Sequence, residues 1–160
     1  MKISNDAGLV RALGGKPSIL AQAEGPDDVA LIGTRTHLAV RRGGEWEAFG
    51  WHEVERGSWR GETKTFRWTT MDAEKHEAVL DEEGRMPELF KERVDASTVS
   101  THHYDLPRGD VRIVVRRSLD AAGEMKFYAV ASRGAKLSDP ETRALVVHET
   151  DRIRAEYGLD

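Results

Sequence analysis

The 160-residue sequence contains no cysteine. Disulfides, thiol nucleophiles, zinc–thiolate centres and iron–sulfur clusters are therefore excluded, and any metal ligands would be histidine or carboxylate. No apolar run approaches the roughly 18 to 20 residues that span a bilayer. The N-terminus also lacks the basic flank, apolar run and small-residue cleavage site of a signal peptide. We therefore expect a cytoplasmic protein.

A large net charge is also missing. The formal net charge is -4, although 32% of the residues are charged. The chain as a whole therefore has no strong attraction for nucleic acid or anionic lipid. The apolar content of 39% is ordinary for a globular protein, and a chain of this length can bury a substantial core.

The familiar catalytic motifs are absent. Three His-Glu pairs begin at His52, His76 and His148, but none has histidine four residues after the first, as a zinc protease requires. The Gly14–Pro17 stretch lacks the spacing and the Ser or Thr of a P-loop, and no GxSxG hydrolase elbow occurs. No cofactor is expected.

Short apolar runs separated by turn residues predict consecutive antiparallel strands after a short lead-in, Met1 to Gly15, that Asp6 caps. The Gly43-Gly44 pair favours a tight hairpin turn. We expect a kink or bulge at Gly57, because strict alternation from Val54 would place Trp59 on the other face. The predicted strand segments are SILAQAE, DVALIG, THLAVRR, a strand from Trp46, WHEVERGSW, TKTFRWTT and KHEAVLD.

The segment MPELFKERV predicts a short amphipathic helix, with Pro87 in its first turn. Its apolar stripe is Met86, Leu89, Phe90 and Val94. Seven short strands followed by one such helix indicate an α+β fold, in which the helix caps a small antiparallel β-barrel. We place this first domain at residues 1–97.

Residues 98–160 contain more than the barrel requires. Three further strand segments precede a long helix that begins near Ser138 or Asp139 and Pro140 and ends at Gly158. Val146, Ile153 and Tyr157 mark its predicted buried stripe. We expect a small α+β lobe or a self-association surface, either as a separate domain or packed into the same globule.

The stretch from Gly33 to Glu55 resembles the pleckstrin-homology-like (PH-like) and GRAM-like domains of bacteria. The resemblance rests on Thr34-Arg35, on Leu38-Ala39-Val40, and on Trp51 with Val54, and it covers roughly residues 16–97. The chain is also similar to a family of actinobacterial proteins of comparable length. The resemblance implies a scaffold that commonly binds peptides, proteins or lipids.

Phosphoinositide binding through the usual PH-like site is disfavoured. That site uses basic residues around the first hairpin, whereas the turn predicted here carries Glu24, Asp27 and Asp28. We expect these carboxylates to repel phosphate.

Two pairs of residues are candidates for chemistry. His103 and Asp105 lie two apart on a predicted strand and so share a face, where an imidazole beside a carboxylate could bind a metal or act as a base. Glu53 and Glu55 share a strand face in the same way, at a separation that suits two catalytic carboxylates. Solvated surface positions are the alternative for both pairs.

Basic residues are candidates for partner binding. Arg112 and Arg116 lie on one face of a predicted strand that also carries Arg117, and Arg35, Arg41 and Arg42 cluster near a hairpin. Protection of an edge strand by charge would also explain them. We expect a non-catalytic module that binds a protein, a peptide or a second copy of itself. The alternative is a metal-dependent hydrolase using histidine and carboxylate residues.

Overall fold

The computed structural model describes residues 3–159, so Met1, Lys2 and Asp160 of the predicted segments lie outside the described residues. The helices are α1 (Ala7–Leu13), α2 (Met86–Ser97) and α3 (Pro140–Glu156), with single 3₁₀ turns at Ile3–Asn5 and Trp51–Glu53. The strands are β1 (Ile19–Glu24), β2 (Ala30–Thr34), β3 (His37–Arg42), β4 (Glu45–Gly50), β5 (Val54–Arg60), β6 (Thr65–Thr70), β7 (Lys75–Val79), β8 (Thr98–Asp105), β9 (Asp110–Arg117) and β10 (Met125–Ser132).

The chain divides into two compact units. The first runs to Ser97 and also includes the later segment Ser118–Glu124, while the second contains Thr98–Arg117 and the residues from Met125 onward. The predicted division after residue 97 into two domains stays a prediction.

The first unit contains a four-stranded sheet in the order β1-β2-β3-β4 and a three-stranded sheet in the order β5-β6-β7. Within each sheet, strands that are consecutive in sequence pair antiparallel. The mixed α+β class is confirmed. Within residues 3–159 the seven strands do not close into one barrel, because the Trp51–Glu53 turn separates β4 from β5 and the two sheets share no paired strands.

The core of the first unit lies among the two sheets and α2. Trp51 is fully buried, and its indole N–H donates to the Thr34 carbonyl oxygen at 2.8 Å. The Phe90 ring packs edge-on to Trp51 at 5.1 Å between centroids and tilted against Phe66 at 4.6 Å. The predicted stripe of α2 is therefore confirmed for Met86, Leu89 and Phe90, which are buried.

The predicted bulge at Gly57 is wrong. The register shift lies between Val54 and Arg56, where the chain leaves the 3₁₀ turn and joins β6. Gly57 instead allows close packing, since a Cβ there would lie 2.5 Å from Cδ2 of Phe90. The glycine is needed for space against the core, which alternation alone does not reveal.

Asp6 caps α1 as predicted. Its Oδ1 accepts hydrogen bonds from the N–H groups of Gly8 at 2.8 Å and Leu9 at 3.2 Å. Burial raises the pKa of Asp6. The Trp46 indole, these two N–H groups and Arg41 together lower it by more, so the pKa lies below its ordinary value.

The second unit is a three-stranded sheet in the order β10-β9-β8 with α3 packed on one face. Ile153 of α3 is buried against Ile113 and Val115. The rest of the predicted helix stripe is only partly right, because Val146 is half-buried and Tyr157 is 37% exposed.

The strand β9 is the central strand of this sheet. Edge protection therefore does not explain its arginines, and that interpretation is wrong.

Among residues 3–159, no helix combines the length and apolarity needed to cross a membrane.

Candidate functional site

A groove with a volume of about 720 Å³ lies on the three-stranded sheet of the first unit. It is bordered by two cross-strand rows of polar side chains, set by the register of β5, β6 and β7. One row is Arg56, Thr69 and Lys75, and the other is Ser58, Arg67 and Glu77. We call this feature the cationic groove.

The floor between the two rows is the cross-strand set Gly57, Trp68 and His76. Successive side chains of a strand point to opposite faces. The Trp68 ring therefore packs into the core while its backbone lies in the groove. A side chain at Gly57 would point the same way, toward Phe90 and Phe66 of the core. The groove thus follows from the alternation of side chains along the three strands.

Charge is unbalanced in the cationic groove. Three cations, Arg56, Arg67 and Lys75, line it with one acid, Glu77. Arg67 Nε donates to Glu77 Oε2 at 3.1 Å, so these two charges satisfy each other. Arg56 and Lys75 have no carboxylate within ion-pair distance among residues 3–159.

A further cation approaches the same strands from β3. Arg42 lies with its guanidinium carbon 5.8 Å from the centre of the Trp68 ring. Its Nη1 donates to the backbone oxygen of Glu77 at 2.9 Å. The Trp68 ring is also stacked on His76, with 5.4 Å between centroids. The Trp68 indole N–H is buried without a hydrogen-bond acceptor in the part of the chain that the structure describes.

The residues of the cationic groove do not form a motif in the sequence, since they lie on three strands between residues 56 and 77. A usable signal was present in TKTFRWTT. Its alternation assigns Phe66 and Trp68 to one face and Arg67 and Thr69 to the other. The pairing of β6 with β5 and β7 then adds Arg56 and Lys75, and this step requires the register.

His103 and Asp105 lie two apart on β8 and share a strand face as expected, so a chemical role for the pair stays a prediction. Both residues are exposed on β8, an edge strand of the second unit. Within residues 3–159 there is no group of three or more histidine and carboxylate side chains arranged to hold a metal ion.

Glu53 and Glu55 do not share a strand face. Glu53 belongs to the 3₁₀ turn, whereas Glu55 is the second residue of β5 at the register shift. The expectation assumed one uninterrupted strand, and it is wrong because the burial of Trp51 bends the chain first.

The two candidate partner-binding arginines differ in exposure. Arg112 is half-buried on β9. Arg116 is only 2% exposed, so its side chain offers almost no surface to a partner. A role for Arg112 in binding stays a prediction.

A polar cluster that the sequence did not suggest joins β8 to α3. The Ser100 hydroxyl contacts Nε2 of His102 at 3.1 Å and accepts a hydrogen bond from the Tyr157 hydroxyl at 2.9 Å. Burial raises the pKa of Tyr104, and the hydrogen bond to the Tyr104 hydroxyl is the main cause that lowers the pKa of Glu149. A serine beside a histidine is a nucleophile–base geometry, but no cavity among those found in residues 3–159 is lined by Ser100 or His102.

Comparison of the chain with protein-family models, curated protein sequences and solved structures gave no match.

Proposed function

We propose that the protein is a non-catalytic binding module on a PH-like scaffold, and that the cationic groove binds an acidic segment of a partner protein. The observation that carries the proposal is the position of Arg56 and Lys75 at opposite ends of one row of the groove. Neither cation has a carboxylate within ion-pair distance among residues 3–159.

The order of elements supports the scaffold. A four-stranded and a three-stranded antiparallel meander precede α2, which packs on residues of both sheets. The residues that carry the sequence resemblance also lie together. The Trp51 indole N–H donates to the Thr34 carbonyl oxygen, and Leu38 is buried in the same core as Trp51.

The width of the groove supports a chain-like ligand. Neighbouring strands are about 4.8 Å apart, so Arg56 and Lys75 begin roughly 10 Å from each other across three strands. Such a span suits several carboxylates along a peptide better than one small anion. The hydroxyls of Ser58 and Thr69 add neutral hydrogen-bonding groups between the charges.

The charge of the whole chain supports a protein ligand over nucleic acid. With a net charge of -4, attraction for an anion is not a property of the surface in general. Complementary charge in a local patch raises the rate and specificity of association.

The direct test is binding of a fluorescein-labelled oligoglutamate to the full chain, measured by fluorescence anisotropy at low salt. We expect the double variant Arg56→Glu and Lys75→Glu to weaken binding by at least about tenfold, because two attractive charges become repulsive. Increasing salt is expected to weaken binding to the native protein, since exposed charges are screened.

The matched control is Arg60→Glu with Lys64→Glu, which makes the same change of charge at positions that do not line the groove. Equal losses in the two double variants would mean that only net charge matters and would overturn the proposal. Absence of binding to the native protein would overturn it as well.

A further inference from the structure

The strand β7 has one edge that no other strand covers, since it is the last strand of its sheet. The direction of its backbone groups follows from two hydrogen bonds. Leu80 N–H donates to the Lys64 carbonyl, and Thr70 N–H donates to the Glu74 carbonyl, each at 2.9 Å. Alternate residues of an antiparallel strand direct both backbone groups to the same neighbour. Even-numbered residues of β7 therefore face β6, and Lys75 and Glu77 face outward.

Those outward groups are largely unoccupied. Among residues 3–159, the N–H groups of Lys75 and Glu77 have no backbone acceptor on the outer side. The Glu77 carbonyl oxygen accepts from Arg42 Nη1, which independently fixes the outward direction. Further along, Gly25 closes the edge, because a Cβ on Gly25 would lie 2.0 Å from the Val79 carbonyl oxygen. The open backbone groups of this edge are therefore the N–H and carbonyl of Lys75 and the N–H of Glu77.

Arg42 is placed to recognise a carboxylate at this edge. Its guanidinium group donates to a neutral carbonyl and has no carboxylate within ion-pair distance in the described chain. It lies over Trp68 on one side of β7, while Lys75 lines the groove on the other side. Side chains of an added strand would alternate between these two sides.

We propose that an acidic, extended segment binds by pairing with the outer edge of β7 as an additional strand, with its carboxylates alternating between Lys75 and Arg42. This inference rests on the proposed function, because it specifies how the acidic partner binds beside the cationic groove. Backbone hydrogen bonds would supply affinity, and the two cations would select acidic side chains.

The test compares two peptides of twelve residues with the same charge, one repeating Glu-Glu-Val-Val (the Glu-Val peptide) and the other repeating Glu-Glu-Pro-Pro (the Glu-Pro peptide), so that carboxylates are available on both faces of an extended strand. Proline has no N–H, and a strand needs these donors at alternate positions. We expect the Glu-Val peptide to bind the full chain at least about tenfold more tightly than the Glu-Pro peptide. Equal affinities would mean that charge alone drives binding, which would overturn strand pairing and leave the proposed function standing.

Amide hydrogen exchange read by NMR locates the peptide. We expect the amides of Lys75 and Glu77 to exchange rapidly in the free protein and to be protected when the Glu-Val peptide is bound. The amides of His76 and Ala78 serve as internal controls, since they face β6 in both states. Binding without new protection at Lys75 and Glu77 would overturn the inference, whereas absence of binding by either peptide would contradict the proposed function itself.

The variant Arg42→Gln tests carboxylate recognition. Glutamine keeps a donor for the Glu77 carbonyl and removes the positive charge. We expect the affinity for the Glu-Val peptide to fall several-fold, with little change for a matched peptide that repeats Gln-Gln-Val-Val. An unchanged affinity for the acidic peptide would exclude Arg42 as the recognising group.

Discussion

Arg41 and Arg42 are neighbours in sequence, but their side chains have different environments. Arg41 binds Asp28 through its Nη2 at 2.9 Å to Oδ1 and lies 3.6 Å from Asp6, and its guanidinium lies 5.3 Å from the centre of the Trp46 ring. Arg42 is exposed and has no such ion pairs among residues 3–159. In the sequence both arginines belong to the same basic cluster near a hairpin, because composition cannot distinguish a cation in an ion pair from one that is available to a partner.

Arg41→Ala is expected to lower the free energy of unfolding by about 1 to 2 kcal/mol. The change removes two partly exposed ion pairs, each of small value, and a stacking contact with Trp46. Urea denaturation followed by tryptophan fluorescence measures the change. The control Arg35→Ala removes an exposed side chain, and we expect less than about 0.5 kcal/mol there. Equal effects would contradict the assignment of Arg41.

The pKa of Asp6 predicts how its contribution depends on pH. Because the folded-state pKa is below 3.8, the charged carboxylate stabilises the folded state above the unfolded-state pKa. That contribution is lost as pH falls through the folded-state pKa. We expect the difference in stability between the native protein and Asp6→Ala to be near 1 kcal/mol at about pH 7 and to shrink toward about pH 2.5. Urea titrations at the two pH values measure it, and a constant difference would contradict the prediction.

Much of the secondary structure was predictable from sequence, because alternation and turn residues are local properties. The strands of the first unit, α2 with its apolar face and the Asp6 cap all follow from such patterns. The 3₁₀ turn at Trp51–Glu53 did not, since it depends on the burial of Trp51 against distant Thr34. The central position of β9 was missed for the same reason. Strand order depends on pairing between residues far apart in sequence.

Gly57→Ala is expected to destabilise the protein by about 1 to 3 kcal/mol, because the added methyl group would overlap the Phe90 and Phe66 rings. Gly61→Ala is the matched control on the connection that follows β5. There the nearest atom to the new Cβ would be Nε1 of Trp59 at 3.6 Å, which is an ordinary contact. Thermal melting of the two variants measures the difference. A similar melting temperature for both would show that the floor of the cationic groove is not tightly packed.

At the scale of the whole molecule, segments of the two units are interleaved along the chain. Ser118–Glu124 connects β9 to β10 of the second unit but belongs to the first. Its turn is held by Asp120, whose Oδ1 accepts from the Ser118 hydroxyl at 2.8 Å and from Ala122 N–H at 3.1 Å. The hydrogen bond from Ser118 is the main cause of the lowered pKa of Asp120. Leu119 then packs on the core of the first unit.

Leu119→Ala is expected to lower the free energy of unfolding by about 1 to 2 kcal/mol, roughly half the usual cost for a fully buried leucine, because the side chain is partly buried. The control Leu137→Ala changes a leucine that is 41% exposed, and we expect a smaller effect. Urea denaturation of the two variants gives the comparison. An effect at Leu137 as large as that at Leu119 would contradict the packing of Leu119 on the core of the first unit.

The interleaved order also affects synthesis on the ribosome. The seven strands and α2 leave the exit tunnel before β8 and β9, so most of the first unit has emerged while one of its segments is still missing. Until Ser118–Glu124 has emerged, the core surface that Leu119 covers stays open to solvent and to chaperones. The nascent protein therefore completes its first unit only after most of the second sheet has been translated.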